Sequence, residues 1–211
     1  MRKAANQLAN RSPYGVHPGV SMMQKWVAEL PQKTGRSLEE WIALVKKSGP
    51  AQEAGRRDWL KENYKLGTNS AWWIAERVDG KGTETDDPDA YLRAAEGYVE
   101  EMYRGPKAAL RPIYEALLKL GLGIGPGVKA CPCKTIVPLY RTHVFAQIKP
   151  TTNTRIDLGL SLGKRKTPLR LIDTGGYEKK DRITHRIPIS KTPEIDAEVR
   201  QWLKTAYDLD T

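Results

Sequence analysis

The chain has 211 residues, 39% hydrophobic and 28% charged, the composition of an ordinary soluble protein with length enough for one large core or two small ones. No apolar run approaches the roughly 18 residues a membrane span needs, and no apolar stretch follows the basic first twelve residues as a secretory signal would require. Two cysteines fit a reducing cytoplasm better than a disulfide framework, and the net charge of +10 directs attention to anionic partners.

In chain order, the spacing predicts four short helices first. Met22, Met23, Trp26, Val27 and Leu30 recur at helical intervals after Pro18. Ser37-Leu-Glu-Glu40 is a capping box that opens a second helix buried through Leu38, Trp41, Ile42 and Val45. Ser48-Gly-Pro50 closes it, and Ala51 to Tyr64 forms the third. The fourth follows Leu66-Gly67, with Thr68, Asn69 or Ser70 as its cap, and runs to Val78. Of the adjacent Trp72 and Trp73, one is expected to pack inward and the other to stay part-exposed. Residues 1–80 read as a helical domain, and Asp79-Gly-Lys-Gly-Thr-Glu-Thr-Asp-Asp-Pro88 lacks any apolar anchor, so 81–89 reads as a linker.

Residues 90–211 read as an α+β domain. Pro88 suits the first turn of a helix reaching Arg104, and a second helix, Lys107 to Leu120, buries Leu110, Ile113, Tyr114 and Leu117. The glycines at 121, 123, 125 and 127 end helical structure; they follow a helix and lead into a strand, the reverse of a dinucleotide loop. Five strands are expected, near 134–141, 143–149, 154–162, 169–173 and 182–189, followed by an amphipathic helix from Glu194 to Asp208. Together these predict an α+β chain: a small all-helical N-terminal domain, then an antiparallel five-stranded sheet flanked by helices.

The third strand carries the clearest pattern. Ile156, Leu158, Leu160 and Leu162 point one way; Arg155, Asp157, Gly159 and Ser161 point the other. Such alternation predicts a sheet packed on one face and open on the other. The open face is basic, since residues 129–191 hold 14 Lys/Arg against 4 Asp/Glu. Arg141 and Arg155 on neighbouring strands, Lys134 at the entry to the first strand, Lys164-Arg165-Lys166 in the loop after the third strand, and Arg186 form the candidate surface for a phosphate backbone. Asp157 is placed to orient Arg155. A second candidate is Gly67 with Thr68, where a glycine turn feeding a helix start offers free backbone N–H groups to a phosphate.

Catalytic and metal signals are weak. Cys131-Pro-Cys133 has a poor spacing for zinc, with no second ligand pair. His185 falls on the face of Ile183, Ile187 and Ile189, which predicts a core histidine; an enzyme built on it would need it to face a cleft. No P-loop or His-Glu-x-x-His occurs. No cofactor, metal or membrane partner is expected.

Lys134-Thr-Ile-Val-Pro-Leu-Tyr-Arg141, Phe145-Ala146, Thr154-Arg-Ile-Asp-Leu-Gly-Leu160, Thr184-His-Arg186 and Trp202-Leu-Lys-Thr-Ala-Tyr207 resemble the C-terminal α+β domain of unknown function of an uncharacterised bacterial family. Lys33-Thr-Gly35, Trp59-Leu-Lys61 and Leu66-Gly67 are similar to its N-terminal helical domain, also of unknown function. The resemblance implies the two-domain architecture and a bacterial, cytoplasmic setting, and no activity. The expected function is that of a non-enzymatic binding protein engaging nucleic acid through the basic sheet face. The alternatives are a regulatory module holding a small anion or acidic protein partner between Arg141 and Arg155, and an enzyme using His185.

Overall fold

The computed structural model describes residues 12–165 and 168–211. It divides into two compact units, His17–Tyr91 and the remainder, with the division falling inside one helix.

The helical unit contains α1 (Pro18–Thr34), α2 (Leu38–Ser48), α3 (Glu53–Tyr64) and α4 (Thr68–Val78). The capping box forms as expected: Ser37 accepts from the Glu40 N–H, and the Glu40 carboxylate accepts from the Ser37 N–H. Trp41, 1% exposed, anchors the core with Leu30, Val45, Leu60 and Ile74, and its indole N–H donates to Thr34 Oγ1 at 2.8 Å. Trp73 packs edge-on against Trp26, while Trp72 is exposed. The segment 81–89 carries a short 3-10 turn, Thr83–Thr85. Arg77 holds it through Thr85 and Asp86, and it belongs to the helical unit.

Helix α5 (Pro88–Met102) leads into the second unit, where α6 (Arg111–Leu122) follows a 3-10 segment and α7 (Ala197–Leu209) closes the chain. Pro112 sits in the first turn of α6, where its missing N–H is harmless. The sheet comprises β1 (Lys129–Ala130), β2 (Val137–Tyr140), β3 (Val144–Lys149), β4 (Ile156–Leu160), β5 (Ile172–Asp173) and β6 (His185–Ile189). All ladders are antiparallel, in the order β1-β2-β3-β4-β6-β5. Among the described residues there are six strands where five were expected: β1 spans two residues, too short to show an alternation.

One face of the sheet packs on α6 and α7. Leu139, Ile148, Leu158, Leu160, Ile187 and Ile189 meet Ile113, Leu117, Val199 and Leu203 in a single core. Gly121 brings α6 against β2, since a Cβ there would collide with Leu139. Between Leu139 and Tyr140 the register slips so that Phe145 is an extra residue on β3. The bulge seats its ring against Tyr207 of α7. Among the described residues no helix is long and apolar enough to cross a membrane.

Candidate functional site

The other face of the sheet is only partly open. Every residue of β4 is buried, Asp157 and Gly159 included. The sequence pattern implied a fully open polar face; instead the missing side chain at Gly159 lets Gln147 and Ile183 close over it, where an added Cβ would meet both at 2.8 Å. The face remains accessible around Asp157.

Asp157 stands opposite Lys149 on β3 and Pro188 on β6, with Arg186 two pairs further along, opposite Gly159. Its side chain is 10% exposed; Oδ2 accepts from Arg186 Nη1 at 2.9 Å and from Arg155 Nη2 at 3.5 Å, while Arg155 Nε lies 3.0 Å from Oδ1 as an ion-pair contact without hydrogen-bond alignment. Thr151 Oγ1 donates to Oδ2 at 2.8 Å. A carboxylate is expensive to bury alone, and two guanidiniums with a hydroxyl compensate it. The arginines keep 34% and 32% of their side chains exposed, and Lys149 is exposed. Three cations therefore surround one anion, leaving surplus positive charge on side chains whose positions a buried group fixes. Lys149 and Thr151 were not expected here. The pairing register that puts them beside Asp157 is a property of the ladder, not of local spacing.

The remaining predicted residues do not join this cluster. Arg141 lies past the far end of β2, and so at the opposite end of the sheet from Arg155. Its guanidinium donates to the Tyr207 carbonyl at 3.2 Å and stacks over the Tyr207 ring, securing the end of α7. The two strands are not neighbours, because β3 runs between them, and no Arg141–Arg155 clamp forms. Lys134 is exposed in the loop before β2. Lys164 and Arg165 are exposed beyond the far end of β4; Lys166 lies outside the described residues.

Gly67 is itself the N-cap of α4, and none of Thr68, Asn69 or Ser70 caps the helix with its side chain. The extended backbone at Gly67 starts the helix one residue earlier than a side-chain cap would. Thr68 and Asn69 line a shallow groove of about 370 Å³ with Arg57, Asp58, Lys61 and the exposed Trp72. Arg57 and Lys61 come from α3, which the sequence did not connect to this turn.

His185 is 1% exposed on the packed face, with Nδ1 2.8 Å from Thr184 Oγ1. It faces the core, not a cleft, which removes the premise of an enzyme built on it. Cys131 and Cys133 are free thiols pointing at the carbonyls of Val16 and Cys131. Burial pushes the Cys131 thiol up to about 12 and raises that of Cys133.

Two family models match the chain: Domain of unknown function (DUF5655) over residues 99–210 and Domain of unknown function (DUF4287) over residues 22–80. Neither the curated proteins nor the solved structures contain a match.

Proposed function

The chain belongs to the DUF5655 family, and from its own residues we propose that it binds nucleic acid through the sheet face around Asp157. The observation that carries this reading is the Arg155–Asp157–Arg186 cluster with Lys149 beside it. A buried carboxylate costs stability, and stability alone gives no reason for holding two part-exposed guanidiniums on it. Fixed guanidiniums with surplus charge suit phosphate oxygens, because little side-chain freedom remains to be lost on binding. The groove at the start of α4 supports the same reading, since Arg57 and Lys61 suit phosphate and an exposed Trp72 offers a stacking surface to an unpaired base. Such contacts read the backbone, so binding is weak in sequence preference and steep in salt.

The test is anisotropy with labelled single- and double-stranded DNA and RNA over a salt series, for wild type and Lys149→Glu. Lys149 is exposed and opposite Asp157, so its substitution leaves the arginine cluster in place. Wild-type binding is expected to fall steeply with salt; the variant is expected to bind about tenfold more weakly, with a log–log slope shallower by about one. Absence of binding at low salt would sink the proposal.

A further inference from the structure

At the opposite end of the sheet from Arg155, the turn between β2 and β3 meets the last turn of the chain. The Asp210 side chain is 2% exposed. Its Oδ2 accepts from the backbone N–H groups of Thr142 at 3.0 Å and His143 at 2.8 Å. Its Oδ1 takes His143 Nδ1 at 3.0 Å and Arg182 Nη2 at 2.6 Å. Burial pushes the Asp210 carboxyl up, but the hydrogen bonds from His143 and Thr142 and the Arg182 charge outweigh it and hold it below the usual carboxylate range. An ionised carboxylate only accepts, so in the neutral imidazole the proton sits on Nδ1 and Nε2 carries the free lone pair.

The His143 ring is 57% exposed, and the imidazole and the Arg182 guanidinium stand side by side on one oxygen. Arg182 also lines an open groove of about 730 Å³ with Lys164, Lys180 and Tyr177, where the acids Glu178 and Asp181 offset part of the positive charge. A structural staple would not need this imidazole. The two backbone N–H groups already pin the turn to Asp210, and the imidazole that would add to them is more than half exposed, so solvent screens much of what it contributes. A carboxylate-oriented histidine with a guanidinium alongside is the equipment of proton transfer at a phosphate. Among the described residues no hydroxyl or thiol side chain is hydrogen-bonded to His143, so the chain itself presents it with no nucleophile. RNA carries one, the 2′-hydroxyl, beside every internucleotide phosphate.

We propose that His143 is the general base of an RNA transesterification at this site, an inference that rests on the nucleic-acid reading above. Nε2 takes the 2′-hydroxyl proton as the 2′ oxygen bonds to the adjacent phosphorus and the bond from phosphorus to the 5′ oxygen breaks. The departing 5′ oxygen takes a proton from water, and the imidazolium returns its proton to the hydroxide so formed. The products are a 2′,3′-cyclic phosphate and a 5′-hydroxyl. Arg182 stabilises charge on the non-bridging oxygens, Lys164 and Lys180 hold flanking phosphates, and Tyr177, 51% exposed, stacks a base. Asp210 is a positioning residue.

The experiment incubates the full chain with a labelled single-stranded RNA and the DNA of the same sequence, in EDTA, measuring both binding and products. Wild type is expected to bind both, to cleave only the RNA, and to leave the cyclic phosphate. His143→Ala, at an exposed position, is expected to bind within about threefold of wild type and to cleave at least about 100-fold more slowly. RNA that is bound and left intact overturns this inference alone. Binding to neither strand overturns the nucleic-acid reading with it, and equal cleavage by wild type and His143→Ala overturns the role of His143.

Discussion

The Asp157 cluster predicts an asymmetry between its members. Replacing Arg155 and Arg186 together by Met preserves the apolar stems but leaves a carboxylate 10% exposed, with the Thr151 hydroxyl as its remaining hydrogen-bonding side chain. An unpaired buried charge costs about 3–5 kcal/mol. Asp157→Asn is milder. The amide oxygen still accepts from Thr151 or Arg186, and the arginines, about one-third exposed, rehydrate at little cost. Discounted for that exposure, its cost is about 1–2 kcal/mol. Amide hydrogen exchange along β4 and β6 reads the difference directly, because these strands bury the sheet's centre and report opening of this unit apart from the helical one. The double arginine variant is expected to lower the opening free energy by at least twice as much as Asp157→Asn. If the single substitution costs as much as the double, or the double costs under about 1 kcal/mol, Asp157 is not held in a low-dielectric site and the argument for fixed guanidiniums fails.

Two further predictions concern other titrating groups. With its pKa pushed up to about 12 and no exposure, the Cys131 thiol is expected to alkylate at pH 8 at least about 100-fold more slowly in the folded protein than in urea; native labelling at the free-thiol rate would contradict that placement. Asp210→Asn is expected to destabilise the α+β unit by about 2 kcal/mol at pH 7. The folded-state pKa of Asp210 lies below the ordinary 3.8, so its contribution is fully present above that value and is lost as the pH falls through the lower folded-state value. Denaturation midpoints of wild type and variant should therefore converge in acid, and a constant difference down to pH 2 would refute the assignment.

Much of the fold was legible because its signals are local. The capping box at Ser37, the apolar stripes of α6 and α7, and the alternation of Ile156, Leu158 and Leu160 each specify an element from residues within one or two turns or strand pairs. The inward side of His185 followed from the same period of two. What local pattern missed was short or covered. Lys129–Ala130 is too brief to alternate, and Ile183 closes over Gly159 from a loop outside any ladder.

The candidate site was half legible for a related reason. Arg155 and Asp157 are two residues apart and announced each other, whereas Arg186 reaches Asp157 through the β4–β6 register and Lys149 through the β3–β4 register. Equal charge is not equal place: Arg141, grouped with Arg155 by sequence, is spent on the end of α7, while Arg186 stands at the cluster. The same holds more strongly for His143, Arg182 and Asp210. They meet on one carboxylate across sequence separations of 67 and 28 residues, and no one-dimensional spacing encodes that meeting. In an antiparallel sheet the strand reversals sort the basic residues between two ends, so charge density along the chain marks the surface without saying which end a residue serves. That sorting separates a binding face fixed by Asp157 from a histidine fixed by Asp210. Substitutions at the Asp210 end should therefore leave binding at the Asp157 face in place, so a variant that binds RNA without cleaving it separates the two roles.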